Sequence, residues 1–127
     1  MINLYTETTE ALEEQKLTWD DVLWIGMRYE YFNEKSDRVE IPKEIFIEQA
    51  KNTNYNNGYG RAEINLSLII VGDNWWLERN EYDGSEWWDY KKMPVKPTTQ
   101  VKEINIYNDF YIWKNLKTDI LLTMFYW

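Results

Sequence analysis

The dipeptide Asp83-Gly84 constrains the fold more than any other feature, because it separates two aromatic-rich runs that alternate along their length. A two-residue type I′ turn needs positive φ at both central positions, which Asp and Gly accept, and its twist suits two antiparallel strands. The sequence therefore predicts a β-hairpin in which the numbers of facing residues sum to 167. Arg79 then faces Trp88 as a cross-strand cation–π pair that stabilises the hairpin.

Alternation along the two strands sorts the side chains of the hairpin onto two faces. One face contains Trp75, Leu77, Arg79, Glu81, Glu86, Trp88, Tyr90 and Lys92. The other contains Trp76, Glu78, Asn80, Tyr82, Ser85, Trp87, Asp89 and Lys91. A sheet over a core needs large aromatic side chains on one face only. One pair of tryptophans is therefore either covered by another element or left as a contact surface.

The pattern as a whole predicts an α+β fold, with an antiparallel sheet built around the 75–92 hairpin and one or two short helices on one face. Runs of β-branched and aromatic residues predict strands at 22–32 (with a bulge at Gly26), 39–41, 68–72, 75–82, 85–92 and 101–107. Helical spacing predicts helices at 8–15, 42–51 (with Pro42 in the first turn), 61–66 and 110–127. The polar segment 33–38 is typical of a turn.

The length predicts a single domain over residues 1–127, since two cores would need a longer chain. We expect it to consist of an N-terminal helical segment (1–16), a core (17–97) and a C-terminal strand and extension (98–127). Composition then excludes several function classes. The chain has no His and no Cys, so it lacks the usual general base, the thiolate nucleophile and the soft zinc ligands. We expect no enzyme activity, no cofactor and no metal site.

The charge disfavours nucleic acid as a direct partner. The chain has 22 Asp and Glu against 14 Lys and Arg, a net charge of −8, whereas phosphate backbones bind through Lys and Arg. The first 50 residues contain 12 of the acids and 5 of the bases, which suits either a solvated surface or docking to a basic partner. The sequence shows no signal peptide and no apolar run long enough to span a membrane. We therefore expect a cytoplasmic protein without membrane contact.

The segment from Val71 to Tyr90, VGDNWWLERNEYDGSEWWDY, resembles the signature of a small protein family encoded by phages and prophages of Gram-positive bacteria. Residues 17–26 and 55–60 extend the resemblance, which covers about residues 17–97. No activity is assigned to this family, so the resemblance supplies no catalytic residues. It implies a phage accessory protein that acts in the cytoplasm of a bacterial host.

Small acidic phage proteins without catalytic groups often act by binding a host protein. We therefore expect an anti-defence protein, specifically an anti-CRISPR that binds a type II CRISPR effector nuclease in its positively charged channel. Carboxylates would stand in for phosphates, and Trp76 and Trp87 would serve as hydrophobic anchors. The carboxylates predicted to contact the partner are Glu30, Glu34, Asp37 and Glu40 at the first hairpin, and Glu78, Glu81, Asp83, Glu86 and Asp89 at the second.

The sequence leaves other functions open. A small-molecule binder, such as a sponge for a nucleotide-like defence signal, would stack bases on Trp and Tyr and hold phosphates with Arg61, Arg79, Lys91 and Lys92. A metal-dependent nuclease would need the hairpin carboxylates to converge, which a two-faced hairpin does not favour. The second acidic cluster is also typical of an ordinary charged hairpin tip. A homodimer, finally, would bury the excess of tryptophan symmetrically.

Overall fold

The computed structural model describes residues 1–29 and 37–107 of the chain. In chain order its elements are β1 (Ile2–Asn3), α1 (Leu4–Glu14), a 3₁₀ turn (Trp19–Asp21), β2 (Trp24–Met27), β3 (Val39–Ile41), α2 (Lys43–Lys51), β4 (Asn54–Tyr55), β5 (Ile69–Val71), β6 (Trp75–Tyr82) and β7 (Ser85–Lys92). The chain divides into two compact units, residues 1–94 and 95–127, and all of these elements belong to the first.

The hairpin of β6 and β7 has the predicted register, in which Arg79 pairs with Trp88. Asp83 and Gly84 have φ angles of 49° and 86°, as a type I′ turn requires. Gly84 is needed for a second reason, because a Cβ at this position would lie 2.8 Å from the carbonyl oxygen of Gly60. The tip of the hairpin therefore packs directly against the glycine-containing loop that follows β4.

Five strands form one antiparallel sheet in the order β3-β2-β5-β6-β7, and β1 pairs with β4 in a separate two-stranded sheet. Both helices pack on one face of the larger sheet, where α1 contacts β7 and α2 contacts β2. The predicted α+β architecture is confirmed. The core between the helices and this inner face includes Leu12, Ile25, Phe46, Ile70, Leu77 and Trp88.

Both helices predicted in the first half of the chain are confirmed, with shifted starts. α1 begins at Leu4, four residues before the predicted start, because Asn3 caps it: the Oδ1 of Asn3 accepts a hydrogen bond from the Thr6 N–H (3.1 Å). α2 begins at Lys43, and Pro42 occupies the N-cap position rather than the first turn. The earlier start of α1 brings a further turn of this helix onto the inner face of the sheet.

The strand predicted at 22–32 ends early, at Met27. Beyond it, side chains rather than a neighbouring strand bind the backbone of Arg28. The Arg28 N–H donates to Ser67 Oγ (2.7 Å), and the Asn65 side-chain amide donates to the Arg28 carbonyl (2.8 Å). Because these side chains satisfy the backbone groups that a longer ladder would use, pairing stops.

Two other predicted elements do not form. Residues 61–66 are not helical, because the backbone N–H groups of Glu63 and Ile64 donate to the carboxylate of Glu86, at 2.7 and 3.2 Å, instead of to helical carbonyls. Residues 101–107 form no strand, since their side chains are exposed and no described strand pairs with them. An alternating pattern makes a strand only where a sheet accepts its apolar side.

The described part of the second unit, residues 95–107, contains no helix or strand, and its side chains are exposed. Three predicted segments lie wholly or partly outside the described residues: residues 30–32, which were predicted as strand, most of the turn at 33–38, and the helix at 110–127. These remain predictions.

Candidate functional site

We call the side of the five-stranded sheet opposite α1 and α2 the outer face. Among the described residues, the tryptophans on this face are Trp24 on β2, Trp76 on β6 and Trp87 on β7. Strand pairing places Trp24, Val71 and Trp76 in one row across adjacent strands. Trp24 is 39% exposed, and Trp76 and Trp87 are partly exposed. The second pair of hairpin tryptophans, which the sequence leaves either covered or exposed, therefore lies on the surface and not in the core.

Each hairpin tryptophan of the outer face donates a hydrogen bond to a carboxylate. Trp76 Nε1–H donates to Glu78 Oε1 (2.6 Å), and Trp87 Nε1–H donates to Asp89 Oδ1 (2.8 Å). The partners are two residues apart because alternate residues of a strand share a face. The side-chain amide of Asn80 donates to the second oxygen of Asp89 (2.9 Å). These bonds fix the positions of both carboxylates.

Glu78 and Asp89 face each other directly across the β6–β7 ladder. Like charges in this position repel and destabilise a sheet. The Lys91 ammonium lies 3.8 Å from Glu78, but both side chains are partly exposed, so this contact offsets little of the repulsion. Burial and the charge of Arg28 lower the pKa of Arg38, while attraction to Glu78 opposes the shift. Local arrangements that lower stability are typical of functional surfaces.

Glu40 on β3 belongs to the same row as this carboxylate pair. The row runs across all five strands through Gly26 and Ile69 to Glu78 and Asp89. Its ends are acidic and its centre is small and apolar. The structure thus places Glu40, one of the four acids predicted at the first hairpin, on the same face as Glu78 and Asp89 of the second hairpin.

Gly26 provides the space in which the indole of Trp24 lies. A Cβ at Gly26 would lie 2.9 Å from Cζ3 of Trp24 and 3.0 Å from the carbonyl oxygen of Val39. The bulge predicted at Gly26 is wrong, because this residue pairs regularly with Glu40 and with Ile69. Because Gly26 has no Cβ, the indole of Trp24 can lie close to the sheet, and the strand register continues without a break.

On the inner face, Arg79 is the centre of a buried group of polar side chains. Arg79 Nη2 donates to Glu86 Oε1 (2.9 Å) and to the Tyr55 hydroxyl (2.8 Å), and Nη1 lies 3.3 Å from both carboxylate oxygens of Glu7. The guanidinium carbon lies 4.8 Å from the ring centre of Trp88, which confirms the predicted cation–π pair. We call these five residues the core polar cluster.

Further hydrogen bonds join the core polar cluster to α1, and the pKa values of Tyr55 and Arg79 are both shifted upward. Trp88 Nε1–H donates to Thr8 Oγ1 (2.9 Å), and the Tyr55 hydroxyl donates to Glu7 (2.5 Å). Burial, followed by the hydrogen bond to Glu7, raises the pKa of the Tyr55 phenol. Burial lowers the pKa of Arg79, but Glu7 and Tyr55 outweigh it and the net shift is upward. Tyr55 is therefore held neutral and Arg79 is held charged.

Two residues that were predicted to contact a partner or a ligand are buried in the core polar cluster. Glu86 is 1% exposed and paired with Arg79, so its predicted contact with a partner is wrong. Arg79, a predicted phosphate ligand of the nucleotide-binding alternative, is 5% exposed. Within residues 1–29 and 37–107, no three acidic side chains converge on a position that would hold a metal ion.

The other predicted contact residues are distributed over the surface. Glu78, Asp89, Trp76, Trp87 and Glu40 share the outer face. Glu81 and Asp83 are exposed at the tip of the hairpin, and Asp37 is exposed before β3. Glu30 and Glu34 lie outside the described residues.

The sequence alone does not identify Trp24 as a member of this surface, nor Glu7 and Tyr55 as partners of Arg79. The sequence predicts that Trp24 lies in a strand, but only the strand order puts it in the same row as Trp76. A signal for the cluster was present, because a charged Arg79 on the hydrophobic face of a hairpin requires carboxylates around it. The sequence does not show which distant carboxylate pairs with Arg79, because the position of Glu7 depends on how α1 packs on the sheet.

Comparisons with models of protein families, with curated proteins and with solved structures find no match to this chain. The resemblance to a phage and prophage family therefore stays a prediction. In the part of the chain that the structure describes, no helix combines the length and the apolar character needed to cross a membrane.

Proposed function

We propose that the chain is a protein-binding module that docks its outer face onto a basic surface of another protein. One observation carries the proposal: Trp24, Trp76 and Trp87 lie on the sheet face opposite the helices, and two of them hold the carboxylates of Glu78 and Asp89. Tryptophan is enriched among the residues that contribute most to binding energy in protein interfaces. Aromatic rings with fixed charges beside them supply both affinity and orientation.

The carboxylates determine the kind of partner. A partner's Arg or Lys placed between Glu78 and Asp89 would relieve their mutual repulsion and would also lie near the indoles of Trp76 and Trp87. The net charge of −8 would steer a basic surface toward the protein. An anionic partner such as nucleic acid would be repelled.

Our specific proposal for the partner is a host defence protein whose basic channel holds nucleic acid, namely a type II CRISPR effector nuclease in the bacterial cytoplasm. Such an effector holds its guide–target duplex in a positively charged channel. Carboxylates fixed on the outer face would compete with the duplex for that channel. The resemblance to a phage family supports this anti-defence role, which requires stoichiometric binding and neither catalysis nor a cofactor.

The nucleotide-binding alternative has less support. Of its four proposed phosphate ligands, Arg79 is buried in the core polar cluster and Lys91 lies beside Glu78. Tryptophans that hold carboxylates also place negative charge where a phosphate would have to lie.

The test measures target-DNA cleavage by purified, guide-loaded type II effectors in the presence of the protein. We expect the wild type to block at least one effector at near-stoichiometric amounts. The variant Glu78→Gln/Asp89→Asn keeps an oxygen that accepts each indole N–H but removes both charges, and should inhibit less. Ile45→Ala, on the exposed side of α2, is the control and should inhibit like the wild type. Failure to inhibit any effector would contradict the proposed partner, and undiminished inhibition by the double variant would contradict the proposed surface.

A further inference from the structure

β7 is the last strand of the five-stranded sheet, and among the described residues no strand pairs with its other edge. Two hydrogen bonds show which backbone groups point to that edge. The Glu86 N–H donates to the Asn57 carbonyl (2.8 Å), away from β6, whereas the Met93 N–H donates to the Asn74 carbonyl (2.8 Å), on the β6 side. Because successive residues alternate in direction, the even-numbered residues of β7 present their N–H and C=O groups at the edge.

The loop after β4 covers this edge at Glu86, so among the described residues the uncovered part begins beyond Glu86. The residues that present backbone groups there are Trp88, Tyr90 and Lys92, and Tyr90 is the central one. A strand edge of this kind is a template for pairing with another chain.

We propose that a second copy of this chain pairs antiparallel along the free edge of β7, with Tyr90 on the two-fold axis. Tyr90 then faces the partner's Tyr90, and Trp88 faces the partner's Lys92. Each of these facing pairs exchanges two backbone hydrogen bonds. The contact is isologous, because the same surface serves both copies.

The side chains between these pairs are complementary in charge. In this register Asp89 faces the partner's Lys91, and Lys91 faces the partner's Asp89. These positions are not hydrogen-bonded, so their side chains approach closely, and opposite charges there stabilise pairing. On the same face, the partly exposed Trp87 meets the partner's Met93, a residue that is 55% exposed in the single chain.

Neighbouring registers are unfavourable. Since only even-numbered residues present edge groups, the pairing can shift only in steps that keep even residues opposite even residues. The nearest shift in one direction places Asp89 opposite the partner's Asp89, and the nearest shift in the other places Lys91 opposite the partner's Lys91. Like charges directly opposite are destabilising. The charges of β7 therefore select the register centred on Tyr90.

Pairing in this way joins two sheets into one and sets two copies of the outer face side by side. The inference does not rest on the proposed function, because it follows from the backbone edge and the charge order of β7. It also accounts for two lysines at the end of an edge strand. Lysine usually blocks edge pairing, but Lys91 meets a carboxylate in this one register.

The test is sedimentation velocity of the full chain over a range of concentrations, with two charge-reversal variants. The wild type is expected to show a reversible monomer–dimer equilibrium. Asp89→Lys and Lys91→Asp each create like charges at both contacts, and should weaken dimerisation by about tenfold or more. An equimolar mixture of the two variants restores opposite charges and should form a heterodimer. A monomeric wild type, single variants that dimerise normally, or a mixture that stays monomeric would overturn the inference.

A second pair of variants tests the backbone and does not depend on charge. The Lys92 N–H points to the free edge, so Lys92→Pro removes an intermolecular donor without removing a bond between β6 and β7. Lys92→Ala removes the same side chain and keeps the donor. With circular dichroism confirming the fold, Lys92→Pro should be monomeric and Lys92→Ala dimeric. Equal dimerisation of the two variants would overturn the inference.

Discussion

Arg79 Nη2 lies 2.9 Å from Glu86 Oε1, in an ion pair whose two side chains have no solvent exposure. The pair joins the two strands of the hairpin near its tip. The same Glu86 carboxylate also accepts the backbone N–H groups of Glu63 and Ile64. One buried charge thus holds together the hairpin and the loop that covers its edge.

Glu86→Gln is expected to destabilise the protein by about 3–5 kcal/mol, because it removes the carboxylate closest to the buried charge of Arg79. The free energy of unfolding in urea measures this loss. Glu81→Gln is the matched control, since Glu81 faces Glu86 across the ladder but is exposed. Its expected change is within about 0.5 kcal/mol. Similar losses for the two variants would show that the buried pair has no special role.

Stability should fall as the pH rises above about 10, the pKa of a tyrosine in an unfolded chain. Burial and the hydrogen bond to Glu7 raise the pKa of Tyr55 in the folded state. The unfolded state therefore releases this proton at a lower pH than the folded state does, and alkaline pH favours unfolding. Thermal unfolding between pH 8 and 12 measures the effect.

Tyr55→Phe is the control for this pH dependence. It is less stable than the wild type at neutral pH, because Arg79 and Glu7 lose a hydrogen-bond partner. Above pH 10, however, its stability should decline less steeply. Parallel declines in the two proteins would assign the effect to other groups.

Gly84→Ala should destabilise the protein by about 1–3 kcal/mol. The residue has a positive φ, and an added Cβ would meet the backbone of Gly60. Gly58→Ala is the comparison in the neighbouring loop, where an added Cβ has no atom within 4 Å. We expect little change there. Chemical denaturation of both variants measures the difference, and a neutral Gly84→Ala would contradict the packing of the hairpin tip on the loop.

The hairpin and its register could be predicted from the sequence, because Asp83-Gly84 is a local signal and alternation then sorts every side chain by face. The pairing of Arg79 with Trp88 follows from the same turn, because the numbers of facing residues sum to 167. Elements that depend on distant partners could not be predicted in this way. The segment after Met27 has strand composition, yet Ser67 and Asn65 bind its backbone and end the pairing.

The candidate site was predictable in part. Trp76 and Trp87 were identified because both hairpin faces carry tryptophan, and the structure shows this pair to be partly exposed. The sequence predicts that Glu86 is one of the carboxylates that contact a basic partner, whereas in the structure it is buried. The burial of Glu86 depends on Arg79, on the loop at 63–64 and on α1. The rule that pairs residues across the hairpin does not include the loop or the helix.

Binding to a basic partner should weaken as the salt concentration rises, since screening reduces attraction between exposed charges. The dissociation constant for an inhibited effector, measured from low to high salt, tests this dependence. Glu78→Gln/Asp89→Asn should show weaker binding and a shallower salt dependence than the wild type. An identical slope for the two proteins would place the electrostatic contact elsewhere.

The most direct test of the central claim, that the outer face is the docking surface, is the affinity of the wild type and of Trp76→Ala/Trp87→Ala for immobilised, guide-loaded type II effectors. We predict that at least one effector binds the wild type, and that the double variant, folded by circular dichroism, binds it about 100-fold more weakly or worse. Ile45→Ala should bind like the wild type. Absence of binding to every effector, or equal binding by the tryptophan variant, would contradict the account.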